Sequence, residues 1–172
     1  SEIEKGNLGQ DLPYIISLTP SLVTTSDAGA GIGYSGFRIR GSDPTRINVT
    51  VNGIPLNDSE SQGVWWVNMP DFSSSVENIQ IQRGVGTSTN GGSAFGASVN
   101  LQTDGLRKDA YLTTNNTVGS FATLKNNIEF GTGLLNKKFA FDGRLSKISS
   151  DGYIDRATSN LKSLYLQGTY FG

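Results

Sequence analysis

Four stretches late in the sequence, 110–118, 121–131, 138–148 and 161–171, alternate in side-chain character, and this constrains the fold more than any other feature. Successive side chains of a strand point to opposite faces. In the second stretch Ala122, Leu124, Ile128 and Phe130 share a side, broken by Asn126, and oppose Thr123, Lys125, Asn127 and Glu129. In the third, Phe139, Phe141, Gly143 and Leu145 oppose Ala140, Asp142, Arg144 and Ser146; in the fourth, Leu164, Leu166, Gly168 and Tyr170 oppose Ser163, Tyr165, Gln167 and Thr169. The first is too polar to assign. Such strands suit either a soluble antiparallel sheet with one core face or a barrel with lipid outside and a wet lumen. Alternation alone favours the soluble sheet, which is commoner. Length shifts the balance, because strands of roughly 9–12 residues cross a bilayer on a tilt. The strand pattern also still runs at Gly172, leaving an edge that a finished soluble domain avoids, so the sequence reads as part of a longer chain.

The preceding hundred residues read differently. A helix is predicted over 9–18, with Leu12, Ile15 and Ile16 on one face and Pro13 confined to its first turn; Thr19-Pro20 ends it. Short strands are predicted over 37–41, 47–52, 79–83 and 97–103, separated by connections rich in Gly, Ser and Asn, with a turn at Asn52-Gly53. Strand length changes after Asp104, which divides the chain into 1–104 and 105–172. The later joints are tight at Gly119-Ser120, short over 132–137 and long over 149–160.

Composition removes several function classes. The chain has neither Cys nor His, so zinc sites built on them, a Cys nucleophile and a Ser-His-Asp relay are all excluded. With 17% charged residues and a formal net charge of −1, nothing points to a nucleic-acid partner. No run reaches the length of a transmembrane helix. Asp27, Asp43, Asp58 and Glu60 are loop carboxylates without calcium-loop spacing, and no nucleophile stands beside them, so neither a metal site nor a catalytic pair is predicted. No cofactor is called for, and the chain does not read as an enzyme.

Three further features invite interpretation. Gly31-Ile32-Gly33-Tyr34-Ser35-Gly36 matches the dinucleotide fingerprint in letters, but a strand follows where a helix must begin, and no preceding strand is read. Arg40 and Arg83 each end a short strand and precede glycine. Their usual fate is solvation; two such endings suggest guanidiniums aimed at one wall, where burial would demand carboxylates that the sequence does not obviously supply. Trp65 and Trp66 lie in the long connection 55–75, where adjacent rings cannot both enter one core; one should pack while the other stays free to stack on a ligand.

Taken in order, these segments resemble the plug of TonB-dependent outer-membrane receptors. The resemblance is carried by the short helix with Thr19-Pro20-Ser21-Leu22, by FRIRGSDPTRINVTVNGIPLND over 37–58, and by VENIQIQRGVGTSTNGGSAFGASVNLQT over 76–103. GSF over 119–121 and SSDGYIDRATSN over 149–160 extend it into the long strands. No single motif decides; the ordered set is specific and covers almost the whole chain. It implies a mixed α+β plug domain over 1–104, followed by the first four antiparallel strands, 105–172, of a truncated transmembrane β-barrel of about 22 strands. The expected location is the bacterial outer membrane, with the plug inside the barrel lumen facing the periplasm, the long joint outside and the short one periplasmic. Arg40 and Arg83 match the plug arginines that pair in that family with barrel-wall glutamates and latch the plug. The loops 27–35, 42–46 and 57–66 correspond to apical loops that meet the ligand, which makes Asp43, Arg46, Asp58, Glu60, Trp65 and Trp66 candidate contacts. The implied function is active import of a scarce ligand, a ferric siderophore or other iron complex. Receptors for glycan, haem or cobalamin share the same plug, and a non-transporting structural or adhesive β-domain is the alternative from another class. The implied partner is TonB, through a coupling segment that the family carries ahead of the plug and that is missing from this chain.

Overall fold

The structure, a computed structural model, describes residues 3, 6–85, 95–103, 105 and 107–171. Most of the glycine-rich loop expected after Arg83, and the boundary expected at Asp104, lie outside the described residues.

Three sheets form. Strands β1 (Leu22–Ser26) and β2 (Ser35–Ile39) make an antiparallel hairpin. Strands β3 (Ile47–Val51), β4 (Ile54–Pro55), β5 (Val76–Arg83) and β6 (Ala97–Thr103) make a sheet in the order β4-β3-β6-β5, with β3 and β6 parallel. Strands β7 (Tyr111–Gly119), β8 (Thr123–Gly131), β9 (Phe139–Ser150) and β10 (Ser159–Tyr170) pair antiparallel in sequence order.

Local chemistry explains the smaller sheet. Asn52 and Gly53 both take positive φ, 50° and 82°, the requirement of a two-residue hairpin turn whose twist suits the flanking strands. Asn52 also accepts from the Thr103 backbone N–H at 3.0 Å and donates to its Oγ1 at 2.9 Å, binding this turn to the end of β6. The parallel pairing of β3 with β6 needs a long crossover, which the stretch carrying both tryptophans and β5 provides. The core gathers Leu12, Ile16, Leu22, Phe37, Ile39, Ile47, Val49, Trp66, Val76, Val99 and Leu101 between this sheet and the hairpin.

Several expectations need correction. The helix is one turn, Leu12–Ile15, with Pro13 in it as predicted; the chain then leaves the helix, and Leu18 is 95% exposed. The apolar periodicity ends at Ile16, and so short a segment gains nothing from extending an isolated helix. Strand β8 begins at Thr123, two residues later than predicted, because Phe121 and Ala122 adopt left-handed φ of 59° and 50° and belong to the turn. Strand β9 continues to Ser150 and β10 starts at Ser159. The polar five-residue strand β1 has too little pattern to read, so a strand does precede the glycine-rich hexapeptide; β2 begins inside it, at Ser35, where a phosphate site requires a helix.

The facing of the long strands follows the alternation. Lys125 and Arg144 are each 3% exposed, whereas Leu124, Phe141 and Leu166 on the opposite face are 48%, 53% and 66% exposed. The inner face, polar and partly charged, lies against the smaller sheet and its loops. Strand β7 is now assigned: Tyr111, Thr113, Asn115 and Thr117 are half-buried, and Leu112 and Val118 are exposed. Gly143 fits the apolar outer face because the Phe130 ring of the paired strand lies over it, and a Cβ there would clash with Phe130 Cζ. Among the described residues no helix is long and apolar enough to cross a membrane, which says nothing of crossing by strands.

Candidate functional site

Two places concentrate polar chemistry: the seam between the first unit and the long strands, and a hollow beside the β1–β2 hairpin.

At the seam stands Asp71, in a left-handed conformation (φ 56°, ψ 21°) just before the 3₁₀ turn Phe72–Ser75. Its carboxylate is spent on side chains and not on capping that turn. Oδ1 lies 2.6 Å from the Lys125 ammonium and accepts from Ser74 Oγ at 2.6 Å and from Asn7 Nδ2 at 3.3 Å. Oδ2 accepts from Asn127 Nδ2 at 2.7 Å and from Ser146 Oγ, and lies 3.3 Å from Arg144 Nη1. Strands β8 and β9 therefore supply two cations, an amide and a hydroxyl to one carboxylate of the first unit. The Asp71 and Lys125 side chains are 0% and 3% exposed. Burial pushes the Asp71 carboxyl upward, but the Lys125 charge and the hydrogen bonds from Lys125, Ser146 and Ser74 more than reverse this, holding it at about 2.

Other contacts extend the seam. The Phe72 and Tyr165 rings meet edge to face at 6.5 Å, and Thr103 Oγ1 donates to Gln167 Oε1 at 3.3 Å. At the end where the 151–158 joint lies, the Tyr153 N–H donates to the Ala28 carbonyl at 2.9 Å, and its ring packs on Phe121 at 5.5 Å. Beside Asp71 a crevice of about 440 Å³ separates the two units, lined by Asn7, Ser74, Glu77, Arg107, Lys125 and Glu129 among others.

The second place is a hollow of about 460 Å³ whose lining includes Tyr34, Arg38, Asp43, Thr45, Trp65 and Trp66. The tryptophan pair divides as the sequence predicts: Trp66 is 4% exposed, its ring 5.9 Å from Phe37, while Trp65 is 52% exposed. Asp43 accepts from the Thr45 N–H at 3.1 Å and from its hydroxyl at 3.0 Å. Those bonds, the backbone one foremost, lower its carboxyl below the usual range, and its Arg38 contact at 4.0 Å is loose. Asp58 accepts from the Ser61 N–H at 2.7 Å and the Glu60 N–H at 3.2 Å, so its charge shapes the loop. Asp58, Glu60 and Arg46 are exposed and do not line this hollow. Tyr34 and Arg38 do, and the sequence reading did not single them out: Arg38 sits in plain view on the polar side of a strand, and Tyr34 inside a glycine-rich loop.

Behind the hollow, Asp11 Oδ2 accepts from Ser35 Oγ at 2.6 Å, and the Asp11 N–H donates to the Gly31 carbonyl at 2.8 Å. Asp11 is 4% exposed and, among the described residues, Oδ1 has no hydrogen-bond partner, so desolvation dominates and raises the carboxyl to about 6.

Arg40 and Arg83 come together away from both places. Arg40 Nη1 lies 3.6 Å from where a Cβ on Gly84 would stand, and Arg83 Nη1 donates to the Pro20 carbonyl at 3.3 Å. Both are exposed, and among the described residues neither has a carboxylate partner.

Residues 1–98 match the family model described as the TonB-dependent receptor plug domain. Among curated proteins none matches the sequence. The fold is similar to that of the FrpB iron transporter from Neisseria meningitidis, with 15% identity, a TM-score of 0.75, and coverage of 99% of this chain and 28% of that one. It is also similar to the siderophore receptor PirA from Acinetobacter baumannii, with 20% identity, a TM-score of 0.62, and coverage of 87% and 24%. The copper transporter OprC is a third, with 14% identity, a TM-score of 0.67, and coverage of 93% and 24%. The chain thus spans about a quarter of the length of these proteins.

Proposed function

We propose, because this chain belongs to the TonB-dependent receptor plug domain family, that it is the plug and first wall strands of an outer-membrane transporter that gates the import of an iron complex. In this reading 1–104 is the plug and 105–172 the start of a barrel of about 22 strands. The observation that supports it best is the sidedness of β7–β10. Their polar faces, with Lys125, Asn127, Arg144 and Ser146 buried, meet the plug, and their apolar faces, with Leu124, Ile128, Phe141, Leu145, Leu164 and Leu166, are bare. A soluble domain would not leave an apolar surface of this kind uncovered; a barrel wall in lipid requires it.

Ligand would settle in the hollow between the loops, with Trp65 and Tyr34 stacking and Arg38 and Asp43 supplying polar contacts. Trp66 would form the floor and act through packing. Arg46, Asp58 and Glu60 border the same loops and would contact only a ligand that reaches beyond the hollow. Binding can shift the plug only through differential affinity for its docked and released states, and TonB with the proton gradient would supply the release. Arg40 and Arg83 would latch onto acidic residues of wall strands other than β7–β10. The ferric-siderophore reading draws on the siderophore and iron receptors with the same fold.

The test is uptake by cells in which the complete receptor is the only route. Labelled ferric siderophore should accumulate, and accumulation should stop when the proton gradient is collapsed. Gradient-dependent accumulation of haem, cobalamin or a glycan instead would keep the receptor and replace the ligand. Recovery of the complete protein in aqueous buffer without detergent, with no uptake, would overturn the transporter reading in favour of a structural or adhesive domain.

A further inference from the structure

Resting on that reading, the geometry points to a covered fastening at the seam: Asp71 holds the plug to the wall through Lys125 and Arg144, and we propose that the N-terminal segment at Asn7 is the cover whose removal releases it. The charge sense is opposite to that expected for Arg40 and Arg83, since here the plug provides the carboxylate and the wall the cations.

Three observations carry the proposal. First, Asp71 reaches both β8 and β9 and is 0% exposed, so the plug cannot leave these strands without breaking its ion pairs. Second, Asn7, itself 8% exposed, donates 2.8 Å to Ser74 Oγ and 3.3 Å to Asp71 Oδ1, both of which also contact the Lys125 ammonium. Gly9, at φ 107°, brings the same segment so close to Lys125 that a Cβ at this position would stand 3.4 Å from Lys125 Cβ. The segment therefore lies across the ion pair. Third, the crevice of about 440 Å³ is lined by Asn7, Ser74 and Lys125, so moving Asn7 joins the buried pair to a hydrated space. Attraction between two charges weakens several-fold as the effective dielectric around them rises. Among the described residues Arg144 Nε and Asn127 Oδ1 make no hydrogen bond, so water reaching the seam would find both unsatisfied. A strong buried fastening becomes a weak exposed one without any change of protonation.

The experiment uses the complete receptor in outer-membrane vesicles and in cells. The sequence in hand has no cysteine, so Asn7→Cys with Ser74→Cys places a thiol pair across the cover, to be bridged after folding by a short reversible bis-methanethiosulfonate. Bridging should reduce gradient-driven uptake of the ferric siderophore at least tenfold with affinity changed less than twofold, and reductant should restore it. Separately, Asn7→Ala should speed amide hydrogen exchange over 71–76 at least tenfold, with exchange in β6 unchanged. Wild-type uptake by the bridged receptor, or exchange in Asn7→Ala within twofold of wild type, would overturn the proposal. If no iron complex is imported at all, the proposed function fails and the exchange measurement still decides the fastening.

Discussion

Replacing Lys125 by Met removes the leading partner of Asp71 while preserving most of the stem volume. Two routes give the size of the effect. A carboxyl held at about 2, against its ordinary 3.8, favours the docked form by about 2–3 kcal/mol, at ~1.36 kcal/mol per tenfold in proton affinity. Deleting one partner of a buried pair costs about 3–5 kcal/mol, of which Arg144 at 3.3 Å should offset a part. We expect a loss of about 2–3 kcal/mol in local opening, read as roughly 30- to 150-fold faster hydrogen exchange over 71–76 at neutral pH. The acid dependence supplies a second check. Because the docked-state value is depressed, the stabilisation is present above about 3.8 and is lost as pH falls toward about 2. Wild-type protection, corrected for intrinsic exchange rates, should therefore decline across that window, and in Lys125→Met, where the docked-state value moves back toward 3.8, the decline should be smaller and should end at higher pH. Exchange within twofold of wild type at neutral pH, with an unshifted acid profile, would refute the reasoning.

Asp11 should act in the opposite sense. Its folded-state value is raised to about 6, so its favourable contribution is complete below 3.8 and is lost as pH rises through about 6; Asp11→Asn should make protection of 11–16 independent of pH across 4–7. A pH dependence equal to wild type contradicts this. Trp65→Ala should weaken ligand binding at least fivefold with thermal stability unchanged, whereas Trp66→Ala should destabilise the plug by about 3–5 kcal/mol, as loss of a buried aromatic does; titration and thermal unfolding separate the two. Arg40→Ala with Arg83→Ala should loosen plug docking and raise protease sensitivity, and resistance and uptake equal to wild type would remove the latch assigned to them.

The long strands were the most legible part of the chain because two solvents read them. Lipid would select Leu124, Ile128, Phe141 and Leu164 on one side while the plug selects Lys125, Asn127 and Arg144 on the other, so alternation survives in the letters. Strand β7 was opaque because its outward Thr114 and Asn116 are as polar as its inward Thr113 and Asn115. The start of β8 moved because Phe121 and Ala122 accept left-handed φ that their identities do not announce. Asp71 was missed for a different reason. Its wall partners Asn127 and Ser146 are 56 and 75 residues away, and no local spacing brings them together. The available signal was inverse: Lys125 and Arg144 on a face about to be buried demand a carboxylate from whatever covers them. The tryptophan pair was readable because adjacent residues of an extended chain cannot share a side.

The sidedness of the wall is the claim on which the transporter account stands, and single cysteines with a fluorescent label measure it directly. In the complete receptor reconstituted in lipid, labels at Phe139, Phe141 and Leu145 should be quenched by brominated acyl chains, and labels at Ala140, Asp142 and Ser146 should not. Quenching that fails to alternate with a period of two, or that selects the second set, would contradict it.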